Sequence, residues 1–155
     1  MKTLKLIFSI LFLSSVSSLY AQVEPVDKYG LAIGGYDVVA YFSNKAAKGD
    51  SKITATHSGA TYQFATAANR DAFKTNPTKY LPQFDGYCAW GVGAKSSKFP
   101  VNPETFEIID GKLYLFFNGP LNGKGFNSFE PWKADEETLL KAANANWPKL
   151  KSTKN

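Results

Sequence analysis

The chain has 155 residues, with 18 Lys or Arg against 13 Asp or Glu, one histidine and one cysteine. Its lysines are scattered over 45–52, 95–98 and 149–154 without an arginine cluster, so the electrostatic footprint of a nucleic-acid binder is missing and no such partner is expected. A single cysteine excludes an intramolecular disulfide and two-cysteine redox catalysis within one chain, which leaves 12 Phe, 8 Tyr and 3 Trp as the source of packing energy.

At the N-terminus, Lys2 and Lys5 lead into the apolar run 6–13, then a Ser-rich stretch and Ala21-Gln22. That is the charge, apolar core and small-residue order of a secretory signal, with cleavage expected after Ala21. The run is too short to span a bilayer, which takes roughly 20 apolar residues, so a retained anchor is the weaker reading. Residues 1–21 are therefore read as a signal, and the mature protein as secreted or periplasmic with no membrane association after cleavage. Removing 21 residues and two lysines leaves 134 residues and a net charge of +3, enough chain for one modest core.

Residues 22–34 are polar, contain Pro25 and show little periodicity; they read as a leader that packs late or a short irregular arm. After Gly34-Gly35, residues 36–42 are rich in β-branched and aromatic side chains and predict a first strand. Residues 52–56 and 60–64 predict a hairpin around His57-Ser58-Gly59, because Tyr62 and Phe64 alternate with polar Thr61 and Gln63. From Thr66, a natural N-cap, the period changes to that of a helix through Lys74, ended by Asn76-Pro77, which opens a second short turn to Tyr80.

The organising stretch is 80–92, Tyr-Leu-Pro-Gln-Phe-Asp-Gly-Tyr-Cys-Ala-Trp-Gly-Val, which sets Cys88 between Tyr87 and Trp90. Residues 93–103 read as a basic, mobile loop. Asp110-Gly111 between 106–109 and 112–117 is the clearest two-residue hairpin signal, 118–129 reads as a connector, and a last helix is expected from Asp135 until Trp147-Pro148 closes it. Strands and helices are interspersed without long crossovers. The pattern predicts an α+β fold: a single domain over 35–150 with a small antiparallel sheet and short helices, followed by a basic tail at 151–155.

Few residues offer chemistry. Cys88 is a candidate metal ligand or reactive thiol, or else a small hydrophobe of the core, as free cysteines usually are. His57 is a candidate second metal ligand, or an exposed turn residue without a role. Asp37 stands at the entry to the first strand, where a carboxylate either binds a ligand or accepts backbone N–H groups in an Asx turn; Asp85 before Gly86 has the same two readings. Tyr36, Asp37, Tyr87 and Trp90 together are candidates to line an apolar pocket with polar tips, although core packing would use the same rings. There is no Ser-His-Asp order, no phosphate-cradling glycine loop and no metalloprotease helix, so no enzyme is expected.

Several segments together resemble the YHS-domain family, whose members are similar to the TRASH-type metal-binding domains: Gly35-Tyr36-Asp37-Val38-Val39-Ala40-Tyr41-Phe42, Tyr62-Gln63-Phe64-Ala65-Thr66-Ala67-Ala68-Asn69, Phe73 with Asn76-Pro77 and Tyr80, Gly86-Tyr87-Cys88-Ala89-Trp90, Asp110-Gly111-Lys112-Leu113-Tyr114 and Asn144-Ala145-Asn146-Trp147-Pro148. The resemblance spans most of the mature chain and is nearest to the secreted branch with a Gly-Tyr-Cys-Ala segment. It implies transition-metal handling, with copper or zinc as the cofactor. Metal-handling relatives carry a Phe-Cys-Ser-x-x-Cys pattern, whose two cysteine places are Ala65 and Asn69 here, so two thiolate donors are missing. Two function classes follow: a metal-handling binding module with a degenerate ligand set of Cys88 and His57, or a metal-free module that binds a small ligand or a protein. A thiol-dependent enzyme ranks below both.

Overall fold

The computed structural model describes residues 22–153. Along them run β1 (Asp50–His57), β2 (Ala60–Phe64), α1 (Ala67–Thr75), α2 (Pro77–Tyr80), α3 (Ala89–Lys95), β3 (Asn102–Ile109), β4 (Lys112–Phe116), β5 (Asn118–Leu121), β6 (Lys124–Asn127), α4 (Phe129–Ala134) and α5 (Glu136–Lys151). The fold is α+β. Its strands form three antiparallel hairpins rather than one sheet, tied by isolated bridges such as Leu31 with Thr61 and Pro82 with Leu113.

Strand β4 explains the layout. Leu113 and Leu115 point into a cluster with Tyr41, Phe64, Phe73 and Cys88, whereas Tyr114 and Phe116 point into a second cluster with Val92, Trp132 and Ala143. Side chains alternate across a strand, so a strand that is apolar at four successive positions must be covered on both faces. Leu113 to Phe116 are all buried, and β4 is the wall between the two cores.

On the first side, β2 alternates as expected, with Ala60, Tyr62 and Phe64 buried. Tyr62 and Phe64 pack on Phe73 of α1, with ring centroids 4.9 and 5.2 Å apart. Thr66 caps α1, its hydroxyl oxygen accepting from Asn69 N at 3.1 Å. On the second side α3 lies close on α5. A Cβ on Gly93 would come within 2.6 Å of Leu139 O, and the Asn146 side chain donates to Val92 O at 2.9 Å, satisfying a carbonyl that the end of α3 leaves open.

Four expectations are corrected. Residues 36–42 form no strand, only a Tyr36–Lys48 bridge and a 3-10 turn at Ala40–Ser43, because Asp37 accepts the N–H groups of Val39 and Ala40 and so draws the backbone away from a ladder. The supposed mobile loop 93–103 begins inside α3 and ends inside β3. The connector 118–129 contains the hairpin β5/β6, turned by Asn122 and Gly123 at φ of 51° and 77°, and then opens α4. Helix α5 continues through Pro148 to Lys151; a proline so near the end removes a single ladder bond. Residues 22–34 keep an irregular course and pack on the domain, with Val23 bridged to Val101 and Ala32 and Ile33 buried. The expected signal lies outside the described residues, as do the last two residues of the tail. Among the described residues no helix is long and apolar enough to cross a membrane.

Candidate functional site

Asp37 is fully buried and makes four side-chain hydrogen bonds. One carboxylate oxygen accepts from Val39 N (2.9 Å) and Ala40 N (3.2 Å), the other from Ala65 N (2.8 Å) and the Asn69 side-chain amide (2.7 Å). Its capacity is filled by protein donors, so it joins the 3-10 turn to the start of α1 rather than facing a pocket.

Cys88 is also fully buried, in the first core cluster. Ser128 spends its one hydroxyl hydrogen on Phe117 O, at 2.9 Å. The 3.3 Å contact between Cys88 Sγ and Ser128 Oγ is therefore a thiol donating to a hydroxyl, while Sγ accepts from Phe117 N (3.3 Å) and Gly91 N (3.4 Å). A copper or zinc centre does not fit this donor set. The sulfur is enclosed and engaged by Ser128 and two amides, and among the described residues no group of three or more His, Cys, Asp or Glu could hold a metal ion. His57 belongs to other surroundings: it ends β1, sets its ring edge-on to Phe73 at 6.0 Å and lines an open cleft that Cys88 does not reach.

The four expected pocket residues are dispersed. Tyr36 donates to Glu104 at 3.1 Å under the Lys48 ammonium, Asp37 is the buried hub, Tyr87 packs on Trp147, and Trp90 packs on Phe126 with centroids 5.0 Å apart. The four side chains pack on different partners, so proximity in sequence does not bring them into one pocket here.

The concave site is elsewhere. A cleft of about 380 Å³ opens where the arm, the β1/β2 turn, the segment after α2 and the end of α5 meet. Val26, Ala60, Leu81 and Pro82 give it an apolar wall. Tyr62, His57, Ser58, Asp85 and Lys151 supply polar groups, and Asp85 and Lys151 form an ion pair at 3.6 Å with both side chains more than half exposed.

Two features make this cleft a built one. Phe84, Asp85 and Gly86 all take left-handed backbone, at φ of 55°, 50° and 88°, a conformation costly for phenylalanine and natural for glycine. The strain is held by Phe84, which is buried against Tyr114 and Trp147, and it leaves Asp85 at the cleft. Tyr62 is only 8% exposed, lines the cleft, and its hydroxyl has no hydrogen-bond partner among the described residues. Burial, then the nearby Asp85 carboxylate, raises its pKa, so the hydroxyl stays protonated and can donate.

Sequence reasoning missed Tyr62, which reads as a core position of a hairpin, and Lys151, which reads as tail. Asp85-Gly86 was the one available signal, since a glycine after an acidic residue marks a left-handed turn. Compared with protein-family models, curated proteins and solved structures, the chain matches none.

Proposed function

We propose that this chain is a secreted or periplasmic, non-enzymatic binding module, similar in sequence to YHS domains, that holds a small molecule in the cleft of Tyr62, Asp85 and Lys151. The carrying observation is the Tyr62 hydroxyl: the donor of a buried ring, without a partner among the described residues, that lines a cleft whose volume lies within the roughly 300–1,000 Å³ of small-molecule sites. A ligand that accepts from it gains a hydrogen bond for which no group among the described residues competes. Binding rather than catalysis is favoured because the sulfur of Cys88 is enclosed in the core, apart from the His57 imidazole at the cleft, so the thiol has no base beside it there. Metal handling, implied by the YHS resemblance, draws no support from the surroundings of Cys88.

The test is a fragment library titrated into isotope-labelled protein, followed by amide chemical shifts. Perturbations gathered at Ser58, Tyr62, Asp85 and Lys151 are expected. If no compound moves that group of resonances, the small-ligand reading fails.

A further inference from the structure

The geometry points to a class of ligand: we propose that the cleft takes a free α-amino acid with a large apolar side chain. Its ammonium would sit on Asp85, its carboxylate between Lys151 and the Tyr62 hydroxyl, and its side chain on the wall of Val26, Leu81 and Pro82. This rests on the cleft being a ligand site.

Three observations carry it. First, the rim bears one carboxylate and one ammonium 3.6 Å apart, with side chains 58% and 62% exposed. An ion pair that open to water contributes little to stability and exchanges readily for a ligand's charges. A molecule with one charge would satisfy one rim group and leave the other facing a like charge; a zwitterion whose two charges are separated by a single carbon matches both. Second, the Tyr62 hydroxyl lines the same cleft as that pair, a donor for the carboxylate oxygen that Lys151 leaves free. Third, the cleft is too large for an ion alone, and its wall is aliphatic, so the ligand carries apolar bulk as well as charge. A peptide terminus offers only one of the two charges and fits less well.

The test is calorimetric titration of the full chain with L-phenylalanine, L-leucine, L-phenylalanine amide, N-acetyl-L-phenylalanine and the doubly blocked compound. Free amino acids are expected to bind, and masking either charge to weaken binding at least about tenfold, the loss of one charge-assisted contact. Tyr62→Phe is expected to weaken L-phenylalanine at least about tenfold, one hydrogen bond to a charged group, with no fall in thermal midpoint because the hydroxyl has no partner among the described residues to lose. Asp85→Asn keeps a side chain that tolerates the left-handed backbone and is expected to lose at least about tenfold. Equal affinity for free and doubly blocked phenylalanine overturns the ligand class. So does binding of uncharged fragments in the cleft with no response to amino acids, and that result leaves the binding-module reading standing. Silence from every compound at the cleft overturns both.

Discussion

The side-chain amide of Asn69 donates to the buried carboxylate of Asp37 at 2.7 Å, and the backbone N–H of Ala65 donates to the same oxygen at 2.8 Å. Both reach one carboxylate, which ties the first turn of α1 to the 3-10 turn at Ala40–Ser43 through hydrogen bonds alone.

Removing that carboxylate leaves Ala65 N and the Asn69 amide without their acceptor. Asp37→Ala is expected to lower the unfolding free energy by at least about 3 kcal/mol, and Asn69→Ala by about 1.5–3 kcal/mol, the range for hydrogen bonds to a charged group. Urea unfolding followed by tryptophan fluorescence measures both. A loss below about 1 kcal/mol for Asp37→Ala contradicts the hub.

Cys88 is expected to react with a thiol reagent only as fast as the protein unfolds, since its sulfur is enclosed and its hydrogen is given to Ser128. Labelling at increasing urea should follow the unfolding curve. Cys88→Ala removes the acceptor of two buried N–H groups and opens a small void, at a cost of about 2–4 kcal/mol. Wild type and this variant should hold the same low content of copper and zinc after equilibration; an excess in wild type would restore the metal reading.

Alkaline pH should destabilise the protein. Burial raises the pKa of Tyr41 far above the ordinary phenol value, and burial also raises those of Tyr36, Tyr62 and Tyr114. Lys133 is pushed up to about 12 by hydrogen bonds to Glu107 and Glu136. All five folded-state values lie above the unfolded ones, so the folded state holds more protons: the stability they contribute is complete below about pH 10 and is lost as pH rises toward the folded values. Unfolding free energy should be level to about pH 9 and then fall, with tyrosinate absorbance rising together with unfolding. In Tyr41→Phe the fall should be shallower, on a lower baseline, because Pro103 O loses its 2.7 Å donor.

Gly93→Ala is expected to cost about 1–3 kcal/mol, as overpacking does, since its Cβ would meet the backbone carbonyl of Leu139 and α3 would have to move off α5. Thermal unfolding of this variant measures it. Gly125→Ala, where a Cβ meets nothing within 4 Å, is the control and should change little.

The local rules carried the sequence reading a long way. Thr66 as a cap, Pro77 as a first helical residue and Asp110-Gly111 as a turn act through bonds a few residues long, and each was legible without a fold. The α+β class followed from their succession. Where a side chain overrode the backbone pattern, the reading failed: the β-branched run at 36–42 has strand propensity, but Asp37 takes the N–H groups that a ladder would use. What only the tertiary structure decided is which surfaces meet. Strand β4 acquires two buried faces because helices cover one side and the first hairpin the other. The cleft exists because Val26, Tyr62, Asp85 and Lys151, spread over 126 positions of chain, converge on one point. Sequence spacing holds no record of that convergence, since it is set by the packing of four separate segments and by no local preference of any one of them.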